Sequence, residues 1–433
     1  MGSQGPPFRI AIVGGGIGGL CAALSLHHHC AAEGIKIDVY EQAPQYKEIG
    51  AGIGIGVNAA RLLHHIGIGD AVNGIAGSRE GIWISFRRYN DGTDIVTVPA
   101  NDRERIRQCP VHRAEFLDLL VDTIKARGAA TLHTNKSCID VIDEGETVTL
   151  NFKDGSAVTA DLAVGCDGIH SKLRAQFSTD NPRYGGRIAY RGLVPISKLE
   201  SNWPFQTYSV SWLGKDKHFL VFPISNNRIL NIVAFVATEE EKLGGLKESW
   251  TATGNKSDLA KDFADFDKTV LEIISHMPEH PSKWVLNDRK PLPQWVFAQG
   301  KVVLMGDAAH AMLPHQGAGA GQAIEDGYIL GRALQDYLRY RNHTDEDLEK
   351  WTRLYQDVRL PRAQRAQATA RQAGQVYEMQ TDEMLGKSYE ECLPLVRDNL
   401  QDRMRWVWTE DLDLGYEKAR MEVNRSWTSQ NIF

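Results

Sequence analysis

The chain has 433 residues, 42% hydrophobic and 24% charged, which fits a globular protein of two or three lobes. Its net charge of −6 and the lack of a long basic run exclude a nucleic-acid partner. Six scattered cysteines with no CxxC pair argue against a disulfide framework or a zinc site, and imply a reducing compartment, taken as cytoplasmic.

In chain order, Phe8–Val13 reads as a buried strand. It runs into Gly14-Gly15-Gly16-Ile17-Gly18-Gly19, where Gly14, Gly16 and Gly19 hold the GxGxxG positions. A helix is predicted from about Gly18 to His29, then a strand from Ile35 to Tyr40 that ends at Glu41. Glu41 lies 22 positions beyond Gly19, near the spacing of ~20 at which an acid meets an adenosine ribose. The glycines alone are a weak signal; strand, glycines, helix and acid together make a dinucleotide fingerprint. An acid here, rather than a basic residue, points to a free 2′-hydroxyl, as in NAD or FAD. The apolar stretch from Ile10 to Leu26 carries five glycines and no convincing cleavage site, so it reads as fold rather than as a signal peptide or membrane span. His27, His28 and His29 are adjacent on a helix, where neighbours do not face one another, and read as a partly exposed helix end rather than a metal site.

Glu48 to Asn58 has glycine at every second position from Gly50 to Gly56. That permits either a flexible loop or extended backbone pressed on a ligand; the alternation of Ile53, Ile55 and Val57 favours order. Gly81 to Val98 is a hairpin around Asn90-Asp91-Gly92, the first piece of a second, antiparallel lobe. Val111 to Ile124 is a predicted helix. Arg113 in its first turn either reaches a phosphate or flavin edge or makes a surface ion pair. Val148 to Asp161 is a hairpin turning at Asp154-Gly155. The strand Leu162 to Cys166 leads to Asp167-Gly168 and a helix from Ser171. No second GxGxxG follows a strand, so a nicotinamide cofactor visits rather than resides. Strands are predicted at Tyr190 to Pro195, Tyr208 to Leu213, His218 to Ile224 and Ile229 to Val236. Arg191 sits among apolar neighbours, and a buried arginine needs an anionic partner. His218, beside Phe219 and Phe222, reads first as a structural histidine. Ser257 to His276 is helix-rich.

The stretch from Gly306 to Asp326, GDAAHAMLPHQGAGAGQAIED, organises the rest. A buried strand ending at Met305 meets a sharp Gly306-Asp307 turn. Gly317, Gly319 and Gly321 precede a helix through Ile324, Leu330 and Leu334. Three glycines where a helix begins let backbone approach a flat or anionic group. Asp307 ends a strand, where ligands gather in open α/β sheets. Helices follow at Leu330 to Arg341 and Asp345 to Leu360, with Pro361 breaking the pattern before Arg362 to Met379. The tail from Arg403 to Phe433, with Trp406, Trp408 and Trp427, is a helical appendage on the body or a homodimer contact.

Three motifs, VGGGIGG with Glu41, DGIHSKLR at Asp167 to Arg174, and the Gly306 stretch, join YRGLVP in a set that resembles the flavin-dependent aromatic hydroxylases of the p-hydroxybenzoate-hydroxylase fold. The resemblance runs from Phe8 to about Trp408. Within that family the chain looks most like salicylate hydroxylases and fungal relatives that hydroxylate phenols in natural-product pathways. It implies an α/β fold: a Rossmann-like FAD-binding domain (1–75, 101–180, 284–360), an inserted antiparallel β-sheet substrate domain (76–100, 181–283) and a C-terminal helical region (361–433). It implies bound FAD, with Gly14, Gly16 and Gly19 at the pyrophosphate, Glu41 at the adenosine ribose and Asp307 at the ribityl or pyrophosphate end. Gly54, Arg113 and Ala320 complete that site, and Asp167 belongs to a motif tied to both FAD and NAD(P)H. Arg191 matches an arginine that pairs with the substrate phenolate. His218 matches a histidine used as base. Phe222 stands where relatives often carry tyrosine, so no phenolic hydroxyl acts there.

The reaction so implied has two halves. NAD(P)H, a transient co-substrate, reduces the flavin; O₂ then forms a flavin hydroperoxide that a phenolate carbon attacks. A phenol of pKa about 10 is only ~0.1% ionised at pH 7. A cation lowers that pKa by roughly 1–3 units, which makes Arg191 worth up to ~4 kcal/mol. His218 takes the proton, and Phe219, Phe222 and Leu313 keep water away. The rival readings are a flavin epoxidase or dehydrogenase, and a non-catalytic binding module on the same fold. The complete glycine, Glu41 and Asp307 set argues against the module.

Overall fold

The computed structural model describes residues 6–46, 51–78, 81–244, 252–341 and 347–430, with side chains to residue 423. Short apolar runs build the first lobe's six-stranded sheet. Its order is Val296–Phe297, Val302–Leu304, Leu162–Gly165, Phe8–Val13, Ile35–Tyr40, Thr131–His133. All neighbours are parallel except the edge pair Val296–Phe297 and Val302–Leu304. Strands covered on both faces read as continuous rather than alternating apolar runs, as Phe8–Val13 does.

The helix Ile17–Cys30 is buried nearly all round, because Gly319–Tyr340 packs along it. Gly327 and Gly331 allow that approach. A Cβ at Gly327 would stand 2.9 Å from the Ala22 Cα, and one at Gly331 2.9 Å from His29 Cδ2. Both helices begin at one chamber, which Ile17 and Gly319 line.

The second lobe is a seven-stranded sheet in the order Ser282–Asp288, Arg183–Pro195, Ile229–Ala237, Lys217–Ile224, Val210–Leu213, Ile82–Arg88, Asp94–Pro99. It is antiparallel apart from the pairing of Val210–Leu213 with Ile82–Arg88. Side chains alternate across it. Phe219 and Val221 enter a core with Val270 and Ile273 of the helix Lys268–His276, while His218, Leu220 and Phe222 face the chamber. Phe219 is therefore on the far side of the sheet and does not shield the chemistry as expected.

Several expected boundaries move. The strand Ser282–Asp288 pairs with Arg183–Pro195, so the substrate sheet runs past residue 283. Val111 lies in the strand Cys109–His112, paired with Gly52–Ile55, and the helix begins at Arg113. The helix expected from Leu330 already starts at Gly319. Pro361 does not break its helix: Leu348–Tyr377 is one helix of 30 residues, so the expected 360/361 division falls inside it. Proline removes one backbone donor there. Arg359 and Arg362, on either side, hold the helix by donating to Glu325 at 2.6 and 2.7 Å. In the tail, Leu412–Gln430 docks on Gly319–Tyr340, where the Tyr416 hydroxyl donates to Asp336 at 2.8 Å. Glu48, Gly50, Asp345 and the Trp427 side chain lie outside the described residues. Among those described, no helix is long and apolar enough to cross a membrane.

Candidate active site

The chamber between the sheets has a volume of about 440 Å³, within the range of small-molecule sites. Its fixed point is the turn after Val302–Leu304. Gly306 takes the left-handed φ of +58° that glycine permits, and its N–H donates to Asp326 at 2.9 Å. Asp326 also accepts from His310 Nε2 at 2.6 Å and from Arg359 Nε at 2.9 Å. Burial alone would raise the Asp326 pKa; His310 and Arg359 overcome it and hold the carboxyl at about 2. The buried ion network locks the turn and leaves Asp307 exposed to the chamber.

The fingerprint glycines divide by role. A Cβ at Gly16 would meet no protein atom within 4 Å, and Gly16 lines the chamber. A Cβ at Gly14 would lie 2.4 Å from the Cys166 carbonyl oxygen, and one at Gly19 2.0 Å from that of Gly14. Of the three, Gly16 is the one that faces the chamber. Gly14 serves the tight turn and Gly19 the helix–strand packing, as their close backbone neighbours require. Glu41 ends its strand as expected and accepts from the Gly15 and Ala43 N–H groups at 2.7 and 2.8 Å. Asp167 is engaged as a helix cap. It accepts from the Ser171 hydroxyl at 2.5 Å and the Lys172 N–H at 2.6 Å, and its neighbours Cys166 and Gly168 line the chamber instead. Gly54, Arg113 and Ala320 all line it. An open glycine, two helix N-termini and Arg113 beside an acid suit an extended anionic dinucleotide, and so fit FAD.

On the substrate side, the Arg191 guanidinium carbon lies 4.1 Å from the Trp284 ring centre, a cation–π distance. Arg191 Nη2 donates to the Gly52 carbonyl at 3.3 Å, and Nε has no partner. Among the described residues no carboxylate pairs with it. Burial, with Arg113 nearby, brings its pKa down to about 9. His218 stacks on Phe235 at 4.2 Å. Its Nδ1 donates to Glu378 Oε1 at 2.9 Å, while Glu378 Oε2 accepts from Arg187 Nε at 2.6 Å. Burial lowers the His218 pKa and Glu378 opposes that only in part, so the ring is neutral at pH 7. A carboxylate only accepts, so the proton sits on Nδ1 and Nε2 keeps its lone pair. Phe222 is wall, packed so close to Gly52 that a Cβ there would fall 2.7 Å from its ring.

Three further features escape sequence reasoning. His315 lines the chamber, neither of its ring nitrogens has a partner, and burial holds its pKa well below the usual value. Its signal was a histidine inside the glycine-rich stretch. Glu378, 160 residues from His218, carries no local signal. Tyr377, Val407 and Trp408 close the chamber, so the C-terminal region forms part of its wall.

Residues 8–370 match the family described as FAD binding domain. The chain is 36% identical to a salicylate hydroxylase of Pseudomonas putida over 436 residues, 96% of this chain and 95% of that protein. It is 31% identical to the 6-methylsalicylate 1-monooxygenase atA of Aspergillus terreus, over 93% of this chain and 90% of that one. A salicylate hydroxylase solved as a substrate complex is similar with a TM-score of 0.80 at 32% identity, over 95% of this chain and 98% of the other. With the open Gly16, the paired helix N-termini and the locked Asp307 turn, these likenesses lead to one conclusion: the chain belongs to the FAD binding domain family and is a flavoprotein aromatic monooxygenase.

Proposed function

We propose that this enzyme uses NAD(P)H and O₂ to hydroxylate a small phenol of the salicylate class, bound as an anion. The observation that carries the reading is Arg191, an enclosed guanidinium on the chamber wall with no carboxylate partner among the described residues. Such a cation calls for an anion, which a phenolate or ring carboxylate supplies. The salicylate and 6-methylsalicylate enzymes among its relatives favour a carboxylated phenol. The six cysteines are free thiols, as suits a cytoplasmic setting.

Bound FAD, once reduced by NAD(P)H, supplies an electrophilic oxygen drawn from O₂. The chain's own residues do the rest. Arg191 holds the ionised ring and lowers the phenol pKa by roughly 1–3 units, about 1.4–4 kcal/mol. His218 Nε2 accepts the phenol proton, and Glu378 then faces an imidazolium that it stabilises. Leu220, Phe222 and Phe235 exclude water from the reacting carbon. Arg191→Ala tests the assignment with salicylate as probe. It is expected to purify with FAD and to lose product formation by about 10- to 1000-fold. Hydroxylation at the normal rate by that variant would remove Arg191 from the mechanism.

A further inference from the structure

Away from the chamber, the helix Ile17–Cys30 and the helix Val57–His65 end beside each other. Adjacent histidines on one helix do not face a common point by themselves, but here His65 of the second helix brings a third imidazole to His28 and His29. His28, His29 and His65 each offer a ring nitrogen, and these three atoms lie within 4.8 Å of one another. The His29 ring centre is 5.0 Å from that of His28 and 6.0 Å from that of His65. His29 Nε2 is buried and has no hydrogen-bond partner, a costly state for a ring nitrogen unless something binds it.

We propose that His28, His29 and His65 form a binding site for a divalent first-row transition metal of the zinc class. Three imidazoles suit zinc, copper or nickel and not magnesium or calcium, which demand oxygen. Tetrahedral Zn–N bonds of 2.0–2.1 Å place ligand nitrogens about 3.3 Å apart. His28 and His65 are exposed, and rotation of their side chains would close the remaining distance from within 4.8 Å. A fourth position stays open to water.

The surroundings favour the site. The three ligands lie in the last turns of their helices, where the backbone dipoles favour a cation. Tyr328 packs edge-on against both His29 and His65, and its hydroxyl is tied to Asp413 at 2.9 Å. The His29 ring is pinned beneath by Gly331. The positive groups that face the cluster are Arg127, Arg332, Arg339 and His27. Arg332 is already paired with Asp413 and Glu417, and Arg339 with Glu33. Arg127 donates to the carbonyls of Ile66 and Gly67.

The test uses the full-length, FAD-loaded protein, stripped with a chelator and titrated calorimetrically with zinc chloride at pH 7.5. One zinc ion per chain is expected to bind, with a higher thermal midpoint in its presence. His28→Ala and His65→Ala, both at exposed side chains, should each weaken binding by about tenfold or more. His27→Ala should leave it unchanged, and magnesium should give no binding heat. The proposal is overturned by absence of zinc binding, by binding that ignores both alanine variants, or by magnesium binding as well as zinc does.

Discussion

Glu378→Gln isolates how the chain sets the protonation of its candidate base. The carboxylate has two oxygens and serves two donors, His218 Nδ1 on one and Arg187 Nε on the other. Glutamine has one acceptor oxygen. Arg187 cannot give up its proton, so it claims that oxygen, and the amide N–H groups turn toward His218. His218 must then carry its proton on Nε2, where it donates instead of accepting. The variant keeps the side-chain volume and loses the base. General-base catalysis is worth about 10²- to 10⁴-fold, so kcat should fall by that factor, about 2.7–5.4 kcal/mol on the barrier. NAD(P)H oxidation and product should be measured together with FAD content, across pH 6 to 9. Expected are a full complement of FAD, a nearly unchanged KM, less product per NAD(P)H and a flattened pH profile. Glu378→Asp, which keeps two acceptor oxygens, should recover part of the rate. Wild-type kcat and pH dependence in Glu378→Gln would refute the tautomer argument and leave His218 as a packing residue.

Three other outcomes follow from the geometry. Gly16→Ala should fold and lose FAD, since its Cβ meets only the space meant for the cofactor, whereas Gly19→Ala should fail to fold because its Cβ strikes the Gly14 carbonyl; flavin absorbance and circular dichroism separate the two, and a yellow Gly16→Ala protein would contradict the assignment. Arg359→Met leaves Glu325 and Asp326 buried without their shared cation, and should cost about 3–5 kcal/mol and most of the bound FAD; an unchanged thermal midpoint would show that the network does not hold the turn. Stability should fall below pH 6.5. Burial keeps His315 neutral and His29 at a pKa of about 3, so the unfolded chain takes up protons the native rings refuse. The loss is negligible above about pH 7.5, is about 0.4 kcal/mol per ring at pH 6.5 and reaches about 1.4 kcal/mol per ring at pH 5.5; His315→Gln should shrink it, and equal pH profiles for both proteins would count against the buried neutral ring.

What the sequence determined by itself was whatever depends on neighbours along the chain. The strand–glycine–helix order, Glu41 at the end of the next strand, the hairpin turns and the Gly306 stretch are local, because a turn needs its glycine and a buried parallel strand needs its apolar run at fixed spacing. Motif identity then carried the family and FAD. The tertiary structure decided whatever depends on packing across the chain. Pro361 stayed helical because Arg359 and Arg362 reach Glu325. Phe219 left the site because alternation sent it to the other face of its sheet. Glu378 reached His218 across 160 residues, and His65 joined His28 and His29 where two helices end together. None of these pairings has a period or spacing in the sequence, since each is fixed by where whole elements come to rest against one another.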